Sequence, residues 1–475
     1  MTSQKLSHLE KVGFGAGDMA VNVVISSMML IITFFYTDVF GLKPTDIALM
    51  FLLVRLLDGV TDPIMGMITD RVNTRWGRYR PYLLYLSVPF GISVFLTFST
   101  PDVDYNAKLV WAYSTYIFVT LMFTSVTIPY ISLIGVMTSD PKERLSANGY
   151  RLFFAKIAAF MVTIIVPKMA GADYWQGDTA AGYQAAMGLM AVLAVFMFVF
   201  CFFTTTERLE HKVEQKPLGE QLSLLFKNDQ WLILCGVCVL GTIGYVVRGS
   251  VALYYAKYNL GGDTNLQSAF LATGVGAAIL SMVASTWITK RYCKVKLFKY
   301  SQMLVGVLSV LMFLLVGNSI PLAFFFFFLI SFVVDLHAPV FWSAIAEAVD
   351  YGHKKSGKRV AGLSFGGISF CQKAGMGVAG AIVGWLLSFF DYVPDVEQSS
   401  FTLTGIALML TIIPGVFHYL VGALMKRYRI TNSEYQKLIA ELQAEEAAAA
   451  AQDIHENTVN EALVESESPI IKPVQ

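Results

Sequence analysis

A chain of 475 residues with 55% hydrophobic and 15% charged residues, mean hydropathy +0.58 and a formal net charge of +1 is not composed like a soluble globular domain. The near-neutral balance offers no basic footprint for nucleic acid. Five cysteines, odd in number and set mostly within apolar runs, argue against a disulfide framework.

The polar N-terminus, MTSQKLSHLEK, has no small-residue cleavage site, so the first span is expected to remain as an uncleaved insertion signal. Gly13, Gly15 and Gly17 lead into it without the spacing or strand context of a dinucleotide fingerprint. Apolar runs of about 20 residues, each enough to cross a bilayer as a helix, predict spans near 18–40, 46–69, 82–100, 109–137, 151–170, 183–204, 231–256, 267–289, 299–316, 320–345, 361–389 and 402–425.

The second span holds Asp58 and Asp62, one helical turn apart and on one face. A carboxylate at the bilayer centre costs roughly 2.5–3.5 kcal/mol on insertion scales, and two on one face repel unless a cation or proton lies between them. A bound small cation is one reading. A salt bridge from Arg55, three residues earlier, is the other, and it balances only one of the two charges. The following loop, DRVNTRWGRYRP, sets Asp70, Arg75, Arg78 and Arg80 beside a glycine. Those charges either fix topology or form a cytoplasmic gate, holding one conformer of alternating access and releasing the other.

Basic and cation-poor loops alternate along the chain, and the positive-inside rule puts the basic set and both termini in the cytoplasm. The longest internal connection, 205–230, divides the spans six and six. The expected organisation is a six-helix half over 1–204 carrying the cation site, a central loop over 205–230, a second half over 231–429 and a tail over 430–475. That layout fits a transporter with its site near midplane between halves. The tail should begin as an amphipathic helix and end acidic and disordered.

Other polar residues fall within apolar runs. Lys156 is expected to snorkel to the interface. Arg248 lies too deep for that, and either pairs with Asp335 or is left to meet a ligand. His337 reads as a packing residue rather than a proton relay, and Pro339 should bend the tenth span. Tyr254, Tyr255 and Trp342 offer flat ring faces on which a ligand can stack. Gly375, Gly377, Gly380 and Gly384 have the spacing of close helix packing. Cys235 and Cys238 form a CxxC in a membrane helix, outside any redox setting.

Asp58-x3-Asp62-Pro63-x2-Gly66 followed by Asp70-Arg71-x3-Arg75-Trp76-Gly77-Arg78-Tyr79-Arg80-Pro81 closely resembles the signature of the glycoside–pentoside–hexuronide:cation symporters, within the major facilitator superfamily. Gly13 to Asp18, Ile128-Pro129-Tyr130, Asp140-Pro141-x2-Arg144, Asp350-Tyr351-Gly352 and Lys373-x-Gly375 agree with it, over about 8–430. The resemblance implies an all-α membrane protein of the major facilitator fold, with about twelve helices in two halves, driving sugar uptake with Na⁺ or H⁺. It implies cation ligands at Asp58, Asp62 and Thr124, with Thr61 as an additional oxygen. Oxygen-only ligation suits Na⁺ and also permits a protonated carboxyl pair. It carries sugar and cation contacts to Arg151 and Lys373. The sequence departs from the family's reference permease at Thr127, which replaces a sugar-binding aspartate, and at Ile131, which replaces a stacking tryptophan. Asp18 aligns with the family's first-helix aspartate only across a gap.

The expected substrate set is Asp18, Asn22, Thr127, Arg151, Arg248, Tyr254, Trp342 and Lys373. The expected partners are a sugar, a monovalent cation and membrane lipid, with no cofactor and no nucleic acid, around a monomer in a bacterial inner membrane. A lysolipid or other small-molecule transporter on the same fold, or a sugar uniporter, is the alternative.

Overall fold

Within a bilayer every backbone polar group must be satisfied by the chain itself, so apolar runs become helices. The computed structural model describes residues 5–444 apart from 139, 172–174, 209–217, 290, 318 and 359. Helix α1 (His8–Leu30) starts with a reciprocal cap. The Glu10 N–H donates to Ser7 Oγ at 3.2 Å, and the Ser7 N–H donates to Glu10 Oε2 at 2.9 Å. Helix α2 (Pro44–Arg71) opens on a proline, whose missing N–H has no partner to lose there. Helix α3 runs as Arg80–Tyr85 and Ser87–Thr97, followed by α4 (Tyr105–Met137), α5 (Pro141–Ala170) and α6 (Thr179–Thr204). A short helix, Leu218–Phe226, lies in the central connection.

The second series repeats the pattern: α7 (Asp229–Tyr254), α8 (Thr264–Thr289), α9 (Lys294–Leu315), α10 (Ile320–Asp335 with Ala338–Ser356), α11 (Ala361–Phe389) and α12 (Ser400–Leu410 with Ile412–Leu424). The interruption of α10 falls at Leu336 and His337, just before Pro339, where a bend is expected. Ten of the helices, counting joined segments together, are long and apolar enough to cross a membrane. The other two that run with them are α2, whose span holds Arg55, Asp58 and Asp62, and α3, which breaks at Leu86. The tail starts as a helix over 432–444, as expected, and its acidic end lies outside the described residues.

Three pairings join the two series: α2 on α11, α5 on α8, and α1 on α7. Glycines reveal how the first pairing is shaped. A Cβ on Gly384 would lie 2.4 Å from the Pro44 carbonyl oxygen, one on Gly380 2.5 Å from Phe51, and one on Gly377 2.1 Å from Arg55. One on Gly59 would come only within 3.4 Å of Phe370, and nothing stands within 4 Å at Gly66, Gly362 or Gly366. The two helices therefore touch away from the arginine-rich end and splay apart towards it. The expected close packing holds at Gly377, Gly380 and Gly384, while Gly375 faces α7 instead. Gly384→Ala is expected to lower stability by about 1–3 kcal/mol through overpacking against backbone. Thermal unfolding in detergent checks it, with Gly366→Ala as the silent comparison.

The opposite end is sealed by a matched device. A short segment, Ile32–Phe34, carries on from α1 into a π-helical turn, Phe35–Val39, and α7 runs into another, Tyr255–Asn259; each is followed by a left-handed glycine, Gly41 (φ 78°) and Gly261 (φ 61°). Asp38 from the first turn accepts from Lys257 (3.1 Å), Tyr258 (2.5 Å) and Tyr392 (2.6 Å). Lys257 also reaches Asp395 at 2.6 Å, and Thr37 shares a hydrogen bond with Tyr254 at 2.6 Å.

Candidate functional site

The 3.6-residue period of α2 turns Asp58 and Asp62 towards α4 and α11. Asp62 Oδ1 accepts from Thr124 Oγ1 of α4 at 2.9 Å, and Asp62 Oδ2 lies 2.5 Å from Lys373 Nζ of α11. Asp58 is 2% exposed, and its Oδ2 accepts from Arg55 Nη1 at 2.6 Å. Arg55 Nη2 reaches Tyr116 at 3.5 Å. Asp58 Oδ1 and Thr61 Oγ1 are buried without a hydrogen-bond partner. Asp62 and Thr124 are thus in contact, with Asp58 one turn before on the same face, and two cations of the protein itself stand against the pair. The salt bridge from Arg55 is formed, and Lys373 supplies a second that joins α11 to α2. Among the described residues no group of three or more His, Cys, Asp or Glu stands together as a metal cluster.

A second cluster joins α1 to α5. Arg151 Nε lies 3.8 Å from Asp18 Oδ1, and Asn22 Nδ2 donates to Asp18 Oδ2 at 3.2 Å and to the Asp18 carbonyl at 2.9 Å. On α4, Thr127 Oγ1 is buried and unpartnered. The close approach of α1 comes from its glycines, since a Cβ on Gly17 would lie 2.4 Å from the Tyr130 ring.

A cavity of about 740 Å³ opens between α1 and α5 on one side and α7, α8 and α10 on the other. Lys156, Tyr245, Arg248 and Asp335 are its polar and charged walls, with Ser26 and Ser331 beside them. One expectation needs correction here, and one alternative falls. Lys156 does not snorkel outwards; α8 packs on α5 and the lysine lines the cavity. Arg248 does not pair with Asp335, because its Nη2 donates to Ser309 Oγ at 2.9 Å and its Nε to the Leu410 carbonyl at 3.2 Å. Pro414 has no N–H for that carbonyl, so α12 breaks at Thr411 and Arg248 fills the vacancy.

Two expected substrate residues stand elsewhere. Tyr254 is fully buried in the seal, edge-on to Tyr392 and hydrogen-bonded to Thr37, so it presents no face to a sugar. Tyr255 is likewise buried against Phe270. Trp342 sits in the second segment of α10 against Phe341, 42% exposed and away from the cavity walls. His337 fits the packing reading: it lies on the Phe298 ring and shares a hydrogen bond with Gln302 at 3.1 Å.

In the expected gate, the backbone N–H groups of Arg78, Tyr79 and Arg80 all donate to Glu207 at 2.8 Å. Arg80 Nη2 donates to the Phe202 carbonyl at 2.7 Å, and Arg75 lies over the Trp76 ring at 4.4 Å. These contacts tie the loop to the end of α6; the Asp70 side chain lies outside the described residues. At the same end, the hydrogen bond from Lys11 holds the Glu143 carboxyl below its usual range.

Sequence reasoning missed the seal and the cavity role of Lys156. Asp38 and Lys257, ionisable residues at the ends of two apolar runs, were the available signal, since such groups require partners.

A family profile described as MFS/sugar transport protein matches residues 13–432. The chain is 35% identical to "Inner membrane symporter YicJ" of Escherichia coli, covering 93% of this chain and 96% of that one. It is 34% identical to "Putative glycoside/cation symporter YagG" of the same organism, with 94% and 96% covered. It is 31% identical to "Isoprimeverose transporter" of Lactiplantibacillus pentosus, with 92% of each covered. Among solved structures, a bacterial homolog of the human lysosomal transporter Spinster, inward-facing and unoccupied, superposes with a TM-score of 0.64 at 13% identity, covering 89% of this chain and 98% of that one. That likeness is one of fold, and it is the major facilitator fold. Family profile and relatives together assign this multi-pass membrane protein to the MFS/sugar transport family, the glycoside–pentoside–hexuronide symporters, a family of transporters rather than enzymes.

Proposed function

We propose that this protein is a secondary active symporter that carries a glycoside, pentoside or hexuronide into the cytoplasm with Na⁺ or H⁺. The observation that carries this reading is the unfilled oxygen inventory at the buried aspartate pair. Asp58 Oδ1 and Thr61 Oγ1 have no hydrogen-bond partner among the described residues, and Asp62, one turn beyond Asp58, accepts from Thr124. A hard cation, or a proton on one carboxyl, completes such a set. The printed names of the relatives, "glycoside/cation symporter" and "isoprimeverose transporter", support a sugar cargo and a cation partner.

Coupling follows from competition. The Lys373–Asp62 bond joins α11 to α2, so a cation entering beside Asp62 works against the lysine ammonium and loosens that contact. Lys373 is then free to serve a sugar hydroxyl or acid group. Binding energy of each ligand thereby depends on the other, with no covalent step. On this reading residues 1–204 and 231–429 are the moving halves, joined by 205–230 and followed by a tail over 430–475. Assigning the arginine-rich end to the cytoplasm by the positive-inside rule makes both termini cytoplasmic and the present conformer inward-facing. The host membrane is a bacterial inner membrane, and the working unit is a monomer.

One observation favours a second reading. Arg55 and Lys373 already neutralise the two carboxylates, so a uniporter in which the pair is structural would use the same contacts. Titrating purified protein with sugars at several Na⁺ concentrations and pH values separates the two. Symport requires sugar affinity to rise several-fold with the coupling cation and cation affinity to rise by the same factor with sugar. Sugar affinity indifferent to both Na⁺ and pH identifies the uniporter.

A further inference from the structure

Among the described residues, four cations deep in the bundle stand in ion pairs. Arg55 faces Asp58, Lys373 faces Asp62, Arg151 faces Asp18 and Lys257 faces Asp38. Arg248 is 6% exposed and makes no ion pair with any described carboxylate. Its guanidinium is held by a serine hydroxyl and a main-chain carbonyl, both neutral acceptors. Desolvating a cation without a counter-charge is expensive. It nevertheless stands in the wall of the cavity between the helices.

The remaining charges of that cavity do not cancel it. Lys156 enters the cavity from α5 and Asp335 from α10, which sets two cations against one carboxylate. The hydrogen bonds to Ser309 and Leu410 fix the guanidinium plane through Nε and Nη2, while Nη1 makes no hydrogen bond to any described residue. A rigid guanidinium with a free edge, beside a second cation in a low-dielectric cavity, is arranged for an oxyanion. Tyr245 adds an aromatic ring to the same wall.

We propose that Arg248 and Lys156 receive the acid group of a monoanionic sugar, a carboxylate or a sulfonate, and so set the substrate class of this transporter. The assignment rests on the symport reading above and narrows its cargo. Arg151 and Lys373 are not called on for the acid group, because Asp18 and Asp62 already balance their charges. Asp335 offsets one of the two cavity cations, so one bound monoanion brings the cavity to neutrality. A dianion would overcharge it.

Three glucosides that differ only at C6 test this: methyl glucoside, its C6 carboxylate (methyl glucuronide) and its C6 methylene sulfonate. Binding to the purified full-length protein is measured by calorimetry, with and without Na⁺. At least one anionic sugar should bind at least about tenfold more tightly than the neutral one, and the tighter of the two identifies the acid. Arg248→Gln should remove that advantage while leaving the neutral sugar within about threefold. Lys156→Gln should weaken the anionic sugars in the same direction. Arg248 also ties α7 to α9 and α12, so Lys156→Gln carries the test if Arg248→Gln fails to fold. Equal or tighter binding of the neutral glucoside overturns the proposal and leaves symport standing. So does an equal loss for all three sugars in the variants, which marks a structural role. No binding of any of them overturns both this proposal and the sugar reading it rests on.

Discussion

Asp58→Asn should abolish accumulation of sugar against a gradient, and adding Arg55→Gln should restore folding without restoring accumulation. The single substitution leaves the Arg55 guanidinium buried beside a neutral amide. Breaking such a pair from one side costs about 3–5 kcal/mol, so the single variant is also expected to melt at a lower temperature. The double variant removes both charges and recovers most of that stability. If the pair serves only to hold α2 in place, transport should recover with it. If Asp58 Oδ1 is a cation ligand, transport should not recover, because the oxygen charge remains lost. Uptake into proteoliposomes under an imposed Na⁺ or proton gradient reads the outcome, with melting temperature measured alongside. Full accumulation by the double variant would reduce the aspartate to a structural part.

Asp38→Ala should open the end of the molecule that this conformer keeps shut. One carboxylate there accepts from Lys257, Tyr258, Tyr392 and Thr37, which come from α1, α7 and the end of α11. Hydrogen bonds to a charged group contribute about 1.5–3 kcal/mol each, so losing the set removes several kcal/mol from the closed state. Roughly 5.5 kcal/mol is enough to invert a 1:99 population. The variant should therefore populate a conformer with the seal parted and should transport at least about tenfold more slowly, while sugar binding persists. Spin labels at the exposed positions Lys43 and Val393 would report longer separations. An unchanged distance distribution would show that the network is packing and does not hold the conformer.

The residues on α2 were legible because helical periodicity and the cost of intramembrane charge act along one segment. Asp58 and Asp62 share a face whatever packs against them, and Thr124 and Lys373 follow from the motif. What lay beyond reach depends on neighbours. Lys156 could point to lipid or to a cavity, and only the presence of α8 beside α5 decides it. The sequence offers Asp335 as one partner for Arg248, but not the carbonyl that the helix break before Pro414 frees for it. Tyr254 reads from the sequence only as an aromatic ring that can stack on a sugar. Its hydroxyl instead meets Thr37 across the seal, next to the π-helical turns that follow α1 and α7. The glycines after those turns are visible in the sequence, but the turns themselves are not. The expected gate arginines illustrate another limit: Glu207, more than a hundred residues away, gathers their backbone N–H groups and ties the loop to α6.

The most direct measurement of the account is electrical. Protein reconstituted on a solid-supported membrane and exposed to a jump in the concentration of a neutral sugar, with no ion gradient present, should produce a transient current whose sign is that of a cation moving with the sugar. The current should depend on Na⁺ or on pH, fall towards zero for a monoanionic sugar whose charge offsets that of one cation, and vanish in the Asp58→Asn, Arg55→Gln variant while that variant still binds sugar. Sugar flux with no charge movement for any bound neutral sugar, in Na⁺ or at any pH, would contradict cation coupling and leave Asp58 and Asp62 as parts of the scaffold.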